Sequence, residues 1–141
     1  MSMNEYRFED CIVGMTESFM VSVDEEALFS FSDITGDVNP LHCDDVYAQK
    51  NGFKRRVNYG MLTASYLSTL AGVYLPGKYS LIHTVDIHFS DVVYPGEELC
   101  ISGTVCEVYS STKLIDVKVR IRNALNKTVL RGKMRIGFLN G

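Results

Sequence analysis

The sequence predicts an α+β fold in which a curved antiparallel sheet wraps around one buried central helix. The stretch from Gly60 to Leu75 carries no charge and has apolar residues around nearly its whole helical circumference. A helix that is apolar on all sides is buried on all sides. Four later segments are predicted strands: Ser80 to Ser90, Leu99 to Tyr109, Lys113 to Ala124 and Thr128 to Phe138. Because these strands follow one another without intervening helices, an antiparallel sheet is expected.

The strand pattern is clearest in the last two segments. Apolar residues at 115, 117, 119 and 121 alternate with Asp116, Lys118, Arg120 and Arg122. This period of two predicts a strand with one face on the core and one face in water. Arg131, Lys133 and Arg135 alternate with smaller and apolar residues in the same way. Hairpin turns are predicted at 109–112 and 123–127, and Pro95-Gly96 breaks the chain before the predicted strand that begins at Leu99.

The first half of the chain predicts one strand and two short helices. A first strand is expected from Ser18 to Val23, after a loop over residues 1–15. Asp24 is a suitable N-cap for a helix that ends at Gly36. Asp44 or Asp45 caps a shorter helix that closes near residue 52.

Composition limits the class of protein. A length of 141 residues fits a single domain, 1–141, with a sizeable core. A net charge of -3 and the lack of a lysine-rich tail argue against a nucleic-acid partner. The four cysteines are too scattered for a disulfide scaffold or a zinc site. The polar, acidic N-terminus is not expected to be a signal peptide, and the longest uncharged run is more polar than expected for a membrane span. A cytoplasmic protein without a membrane partner is expected.

Asp37 and His42 form the first candidate site. They flank Asn39-Pro40, and proline disfavours helix at the residue before it, so residues 38–41 are predicted to form a tight turn. Fully extended, five residues would hold the pair about 16 Å apart, whereas a turn can aim both side chains at one point. A carboxylate beside an imidazole is an acid/base pair. The alternative is that Asp37 caps a helix and His42 is an ordinary surface residue, since such residues are common in turns.

Gly60 begins the predicted central helix. A helix N-terminus presents unpaired N–H groups and the positive end of the helix dipole, which suit a developing oxyanion. Together with Asp37 and His42, such a group could support reversible water addition to an α,β-unsaturated thioester, a reaction that requires no metal or redox cofactor. The alternative for Gly60 is a packing glycine.

Other candidate residues carry weaker signals. Lys54, Arg55 and Arg56 could attract a phosphate-bearing ligand, although a solvated loop is the favoured interpretation of such a charge run. His83 and His88 are expected to have structural roles, and Cys43 is expected to pack beside the site.

The chain resembles the MaoC-like, (R)-specific enoyl-CoA hydratases. The matching residues are Thr35-Gly-Asp-Val-Asn-Pro-Leu-His42, Tyr47-Ala48, Phe53, Gly60-Met-Leu62, Ser65, Ser68, Leu75-Pro-Gly77, Phe89 and Val92-Val-Tyr-Pro-Gly-Glu97. The resemblance runs from about residue 20 to the last strand. It implies the hot-dog fold and a homodimer or dimer of dimers.

The resemblance also implies roles for individual residues. Asp37 and His42 match the pair that binds and activates water, and Gly60 matches the oxyanion donor. Asn39 matches a residue that supports the turn, and Ser68 matches a serine near the catalytic aspartate. The expected substrate-binding set is Asn39, Lys54, Arg55, Arg56, Tyr59, Met61 and Ser68.

The segment before the helix departs from the family. The usual Pro-Ile-x-His-Gly-Met is here Arg56-Val-Asn-Tyr59-Gly60-Met61, so Tyr59 replaces a histidine that borders the site. The acyl pocket or the carrier is therefore expected to differ. The predicted function is a hydratase or dehydratase acting on an acyl-CoA or acyl-carrier-protein thioester. A thioesterase and a catalytically silent binding subunit are the alternatives, since one fold hosts several functions.

Overall fold

A computed structural model describes residues 2–140, which contain one five-stranded antiparallel sheet. The strands are β1 (Thr16–Ser22), β2 (Ser80–Phe89), β3 (Glu98–Tyr109), β4 (Leu114–Asn123) and β5 (Thr128–Phe138). Their order in the sheet is β1-β3-β4-β5-β2, so β1 and β2 are the edges. The four later strands confirm the prediction. The first strand begins two residues earlier than predicted because Thr16 already pairs with Thr104.

Three α-helices lie in the first half of the chain: α1 (Glu25–Thr35), α2 (Asp45–Lys50) and α3 (Gly60–Thr69). The Asp24 carboxylate accepts a hydrogen bond from the Ala27 N–H at 2.9 Å and caps α1, as predicted. Gly36 ends α1 with a φ of 75°, in the left-handed region that favours glycine. Asp44 caps α2 through the N–H groups of its first turn. None of the helices in residues 2–140 is long and apolar enough to cross a membrane.

The central helix differs from its prediction in two ways. It is α-helical only to Thr69, after which Leu70–Tyr74 form one turn of π-helix. The prediction that it is buried on all sides is wrong, because the sheet covers only one side of it. Leu67 is buried against the core, whereas Met61 on another face is 63% exposed. The uncharged pattern therefore marks an apolar surface without showing what covers it.

The core lies between α3 and the inner face of the sheet. Val117 and Val119 of β4 are fully buried and alternate with exposed Lys118, as the pattern predicts. Asp116 contradicts the prediction of a wet face, because only 1% of it is exposed. The pairing of β3 with β4 shifts between Val105 and Glu107, opposite this position, and polar side chains close over the carboxylate.

The N-terminal residues are more ordered than the predicted loop. Phe8–Asp10 form a 3-10 turn, and Glu5 makes an isolated antiparallel bridge with Gly77. A Cβ at Gly77 would lie 2.0 Å from the Asn4 carbonyl oxygen. This close backbone approach requires glycine.

Candidate active site

The turn between Asp37 and His42 is held by its own side chains. The Asn39 N–H donates to Asp37 Oδ1 at 3.1 Å, and the Leu41 N–H donates to Asn39 Oδ1 at 3.0 Å. Pro40–His42 then form a 3-10 turn. Asp and Asn side chains that accept from the backbone two residues ahead are typical of tight turns. The chain thus folds back here as the sequence predicts, and Asn39 supports the turn through its side-chain oxygen.

His42 is half-buried, and one contact fixes its tautomer. Its Nδ1 lies 2.8 Å from the Val57 carbonyl oxygen. Because a carbonyl only accepts hydrogen bonds, Nδ1 must carry the proton. In the neutral ring Nε2 is then a free proton acceptor. The histidine is therefore held in the form that a general base requires.

Tyr59 joins the two ends of the turn. Its ring lies 4.1 Å from the His42 ring, centroid to centroid, and its hydroxyl donates to the Asp37 carbonyl oxygen at 2.7 Å. The Ser32 hydroxyl donates to the same carbonyl at 2.9 Å. Only 2% of Tyr59 is exposed, and this burial raises the pKa of its phenol. The phenol therefore stays protonated and acts as a donor near neutral pH. Cys43, which was expected to be packed, is instead exposed, with Sγ 3.8 Å from the Tyr59 hydroxyl.

Gly60 and His42 meet at a cavity of about 180 Å³. The remaining lining residues are Leu41, Val57, Asn58, Thr63, Phe89, Asp91, Val92, Val93 and Val129. Gly60 is the first residue of α3, and the Tyr59 side chain makes no capping hydrogen bond to that first turn. A Cβ at Gly60 would lie 3.1 Å from Phe89 Cε1, so a side chain here would narrow the cavity. Asp37 is exposed and does not line this cavity.

Met61 and Ser68 lie elsewhere, in an apolar groove between α3 and β2. The groove has a volume of about 310 Å³. Its lining residues are Met61, Ala64, Ser65, Leu67, Ser68, Ile82, Val85, Ile87 and Met134. None of Asp37, His42 and Gly60 lines it. Within one protomer the structure does not bring Ser68 to the Asp37 turn.

The basic connector is held by neighbouring groups. Arg55 Nη2 donates to the Pro95 carbonyl oxygen at 2.8 Å. Arg56 pairs with Glu25, and its Nε lies 3.9 Å from Asp45 Oδ1. Lys54 is exposed. Arg55 and Arg56 are thus already bound to other groups of the protein, which favours the structural interpretation over phosphate binding.

Several cavity residues were not predicted as site residues. Phe89 and Val92 belong to the matching segments of the family resemblance, which was the one available signal. Val129 reaches the cavity because β5 pairs with β2, where Leu130 lies opposite Phe89. That pairing is a tertiary contact that no local pattern reveals. His83 and His88 lie on β2 and do not line the cavity.

Comparisons with known proteins identify the family. The model of the MaoC like domain matches residues 13–127. An (R)-specific enoyl-CoA hydratase of Rhodospirillum rubrum is 28% identical over 129 residues, which are 92% of this chain and 89% of that protein. A 3-hydroxybutyryl-CoA dehydratase of Methylorubrum extorquens is 31% identical over 101 residues, 72% of this chain and 64% of that protein.

Solved structures agree with this result. An (R)-hydratase of A. caviae involved in PHA biosynthesis has a TM-score of 0.89 at 25% identity, covering 93% of this chain and 99% of that one. The unliganded R-hydratase of Pseudomonas aeruginosa has a TM-score of 0.90 at 26% identity, covering 99% of this chain and 89% of that one. The chain belongs to the MaoC-like domain family and has the hot-dog fold. The resemblance noted in the sequence is therefore confirmed.

Proposed function

We propose that this protein adds water reversibly to an enoyl thioester and so forms the (R)-3-hydroxyacyl thioester. The observation that carries the proposal is the His42 tautomer beside the Gly60 cavity, because the Nδ1 contact with Val57 leaves Nε2 as a free base. The relatives named above are hydratases and dehydratases of acyl-CoA thioesters. The free base supports a reaction that begins with activation of water, and the names of the relatives favour addition of that water to a double bond.

The proposed chemistry divides three tasks among three residues. His42 Nε2 takes a proton from water as the water oxygen bonds to the β-carbon of the enoyl group. Electrons move to the thioester oxygen, where the Gly60 N–H at the start of α3 stabilises the enolate. The proton on His42 then passes to the α-carbon, so that the elements of one water molecule are added. Asp37, whose Oδ1 accepts a hydrogen bond from the Asn39 N–H, is assigned to binding the attacking water from outside the cavity lining.

The substrate is an acyl thioester, carried by CoA or by an acyl-carrier protein. The cavity beside Gly60 is small, about 180 Å³, which favours a short acyl group there. We place Tyr59 behind the turn as a positioning residue, because its hydroxyl bonds to the Asp37 backbone and its ring faces His42. A cytoplasmic location stays a prediction.

We also propose a homodimer that forms through β2. Among residues 2–140 no strand pairs with the outer side of this edge strand, and the groove beside it exposes Met61 and Val85, which are 63% and 48% exposed. An unpaired edge next to an apolar groove favours pairing with another chain. A second copy of this chain can occupy the groove and the edge, because a two-fold axis brings the same surface of both copies together. Phe89 belongs to the same strand and to the cavity wall, so such a dimer would lie next to the site.

The test is hydration of crotonyl-CoA, followed as loss of enoyl absorbance. We expect activity in the natural protein, and a fall of about 100-fold or more in both Asp37→Asn and His42→Ala, the range for loss of general acid–base catalysis. A second assay for free thiol distinguishes the thioesterase alternative, since hydrolysis releases CoA and hydration does not. Absence of both activities with CoA and carrier-protein substrates would favour a silent binding subunit.

A further inference from the structure

The outer face of the sheet, which points away from α3, carries a cluster of cations on β4 and β5. Its members, which we call the basic face, are Lys118, Arg120, Arg122, Arg131 and Lys133. Arg122 is half-buried and the other four are exposed. The chain as a whole has a net charge of -3, so this concentration of positive charge does not follow from composition.

The strand register places like charges directly opposite each other on the basic face. Arg120 pairs with Arg131, and Lys118 pairs with Lys133. Like charges in such positions destabilise a sheet. In residues 2–140, Lys133 is the member that forms an ion pair, with Asp116 Oδ2 at 3.4 Å. Stability of the fold therefore does not account for this arrangement.

The basic face also has a suitable shape. Four of its cations line a depression of about 610 Å³, together with Ser102, Thr104, Val119 and Gly132. Alternate residues on a strand are about 6.8 Å apart and neighbouring strands about 4.8 Å apart. Carboxylates at alternate positions of an extended peptide are also about 6.8 Å apart. The cations of β4 at 118, 120 and 122 thus match the spacing of carboxylates in an acidic segment that runs along the strand.

We propose that the basic face docks an acidic segment of a partner protein. Arginine binds carboxylate through two parallel hydrogen bonds, and Arg120 and Arg131 can each do so. Within residues 2–140, no aromatic ring lines the depression for stacking of nucleic-acid bases. Val119, the apolar side chain in the lining, is 1% exposed, so the surface offers nothing to insert into a membrane. This inference does not rest on the proposed hydratase activity.

The test measures binding of a fluorescein-labelled peptide of about ten residues with glutamate at alternate positions, long enough to span the basic face when extended at roughly 3.3 Å a residue. Fluorescence anisotropy is recorded with the full chain at low ionic strength. We expect saturable binding that weakens with added salt, because exposed charges are screened. A matched peptide with glutamine in place of glutamate should not bind.

Two double variants locate the binding. Arg120→Gln/Arg131→Gln should weaken it about tenfold, the loss expected for two exposed ion contacts. This variant removes a repulsive pair, so folding should be retained. Lys50→Gln/Lys78→Gln removes the same charge from exposed positions outside the basic face and should bind as the natural protein does. Equal binding by all three proteins, or absence of peptide binding, would overturn the proposal. Tighter binding of a single-stranded oligonucleotide or of anionic phosphatidylglycerol vesicles would also overturn it.

Discussion

At the scale of single residues, Tyr59 is the side chain that links the backbone of Asp37 to the ring of His42. Tyr59→Phe removes the hydroxyl that donates to the Asp37 carbonyl and keeps the ring against His42. We expect kcat to fall about tenfold, because the turn that carries Asp37 loses one of the hydrogen bonds that position it. KM should change little, because the residues that line the cavity are unchanged. The free energy of unfolding should fall by only about 0.5–1 kcal/mol, since Ser32 still donates to that carbonyl.

The measurement is steady-state kinetics with crotonyl-CoA beside urea unfolding. Tyr66→Phe is the matched control, since it removes a phenol from the same helical region away from the turn. Equal kcat in the natural protein and Tyr59→Phe, or a rise in KM alone, would show that Tyr59 contacts substrate or is passive.

Asp116 gives a prediction for stability against pH. Arg135 donates two hydrogen bonds to this buried carboxyl, the shorter from Nε to Oδ1 at 2.9 Å, and they lower its pKa from 3.8 to about 2. Tyr109 donates a third bond. Because the pKa of Asp116 is lower in the folded state than in the unfolded state, the ionised carboxylate stabilises the fold at pH values above the unfolded-state pKa, near pH 4. That contribution is lost as the pH falls toward 2. Its size is about 2 kcal/mol, at 1.36 kcal/mol for each factor of ten in proton binding.

We expect Asp116→Asn to lower the free energy of unfolding by about 2 kcal/mol at pH 7, and to bring little change near pH 2. Urea unfolding at pH 7, 4 and 2.5 measures this difference. Asp86→Asn is the control, because that carboxylate is 86% exposed and should alter stability by a few tenths of a kcal/mol at most. Parallel pH profiles for the natural protein and Asp116→Asn would contradict this account.

At the scale of elements, the start of α3 should separate catalysis from stability. Alanine is a better helix former than glycine by up to about 1 kcal/mol, and the backbone at Gly60 lies outside the left-handed region. The new Cβ would meet the Phe89 ring at 3.1 Å, and that ring is half exposed and free to give way. We expect Gly60→Ala to keep or raise the melting temperature and to lower kcat/KM at least tenfold, because a methyl group narrows the approach to the N–H.

Calorimetry and hydration kinetics on the same sample check this prediction. Gly72→Ala is the control, since a Cβ there meets nothing within 4 Å. Full activity in Gly60→Ala would remove Gly60 from the oxyanion role.

The elements also show what the sequence can and cannot predict. Helix caps and strand periods are local, so Asp24, Gly36 and the four later strands were predicted correctly. Asp116 was misplaced because its burial depends on Arg135 of another strand and on a shift in register. The turn at 37–42 was predictable because its hydrogen bonds join residues two apart. The Val57 contact that fixes the His42 tautomer joins residues fifteen apart and left no local signal.

At the scale of the whole molecule, the apolar pattern of α3 implies more surface to cover than one protomer supplies. The sheet buries Leu67 and leaves Met61 and Val85 exposed across the groove from each other. The prediction that α3 is buried on all sides is therefore wrong for one protomer. In the proposed dimer, the second copy would cover the side of α3 that faces the groove. The β2 edge and this groove belong to one continuous surface, so a single contact could satisfy both.

Val85→Lys tests that assembly. A charge in the groove would have to be buried without a partner in a dimer, so we expect a shift from dimer to monomer at micromolar concentration. Light scattering coupled to size-exclusion chromatography measures the mass. Val13→Lys places the same charge at a valine that is 61% exposed outside the groove and should leave the dimer intact.

If the natural protein is itself a 15.8 kDa monomer under these conditions, the dimer proposal is wrong. Phe89 belongs both to the β2 edge and to the cavity wall, so we expect the Val85→Lys monomer to lose hydration activity as well. Loss of activity in a folded monomer would indicate that the second copy completes the site.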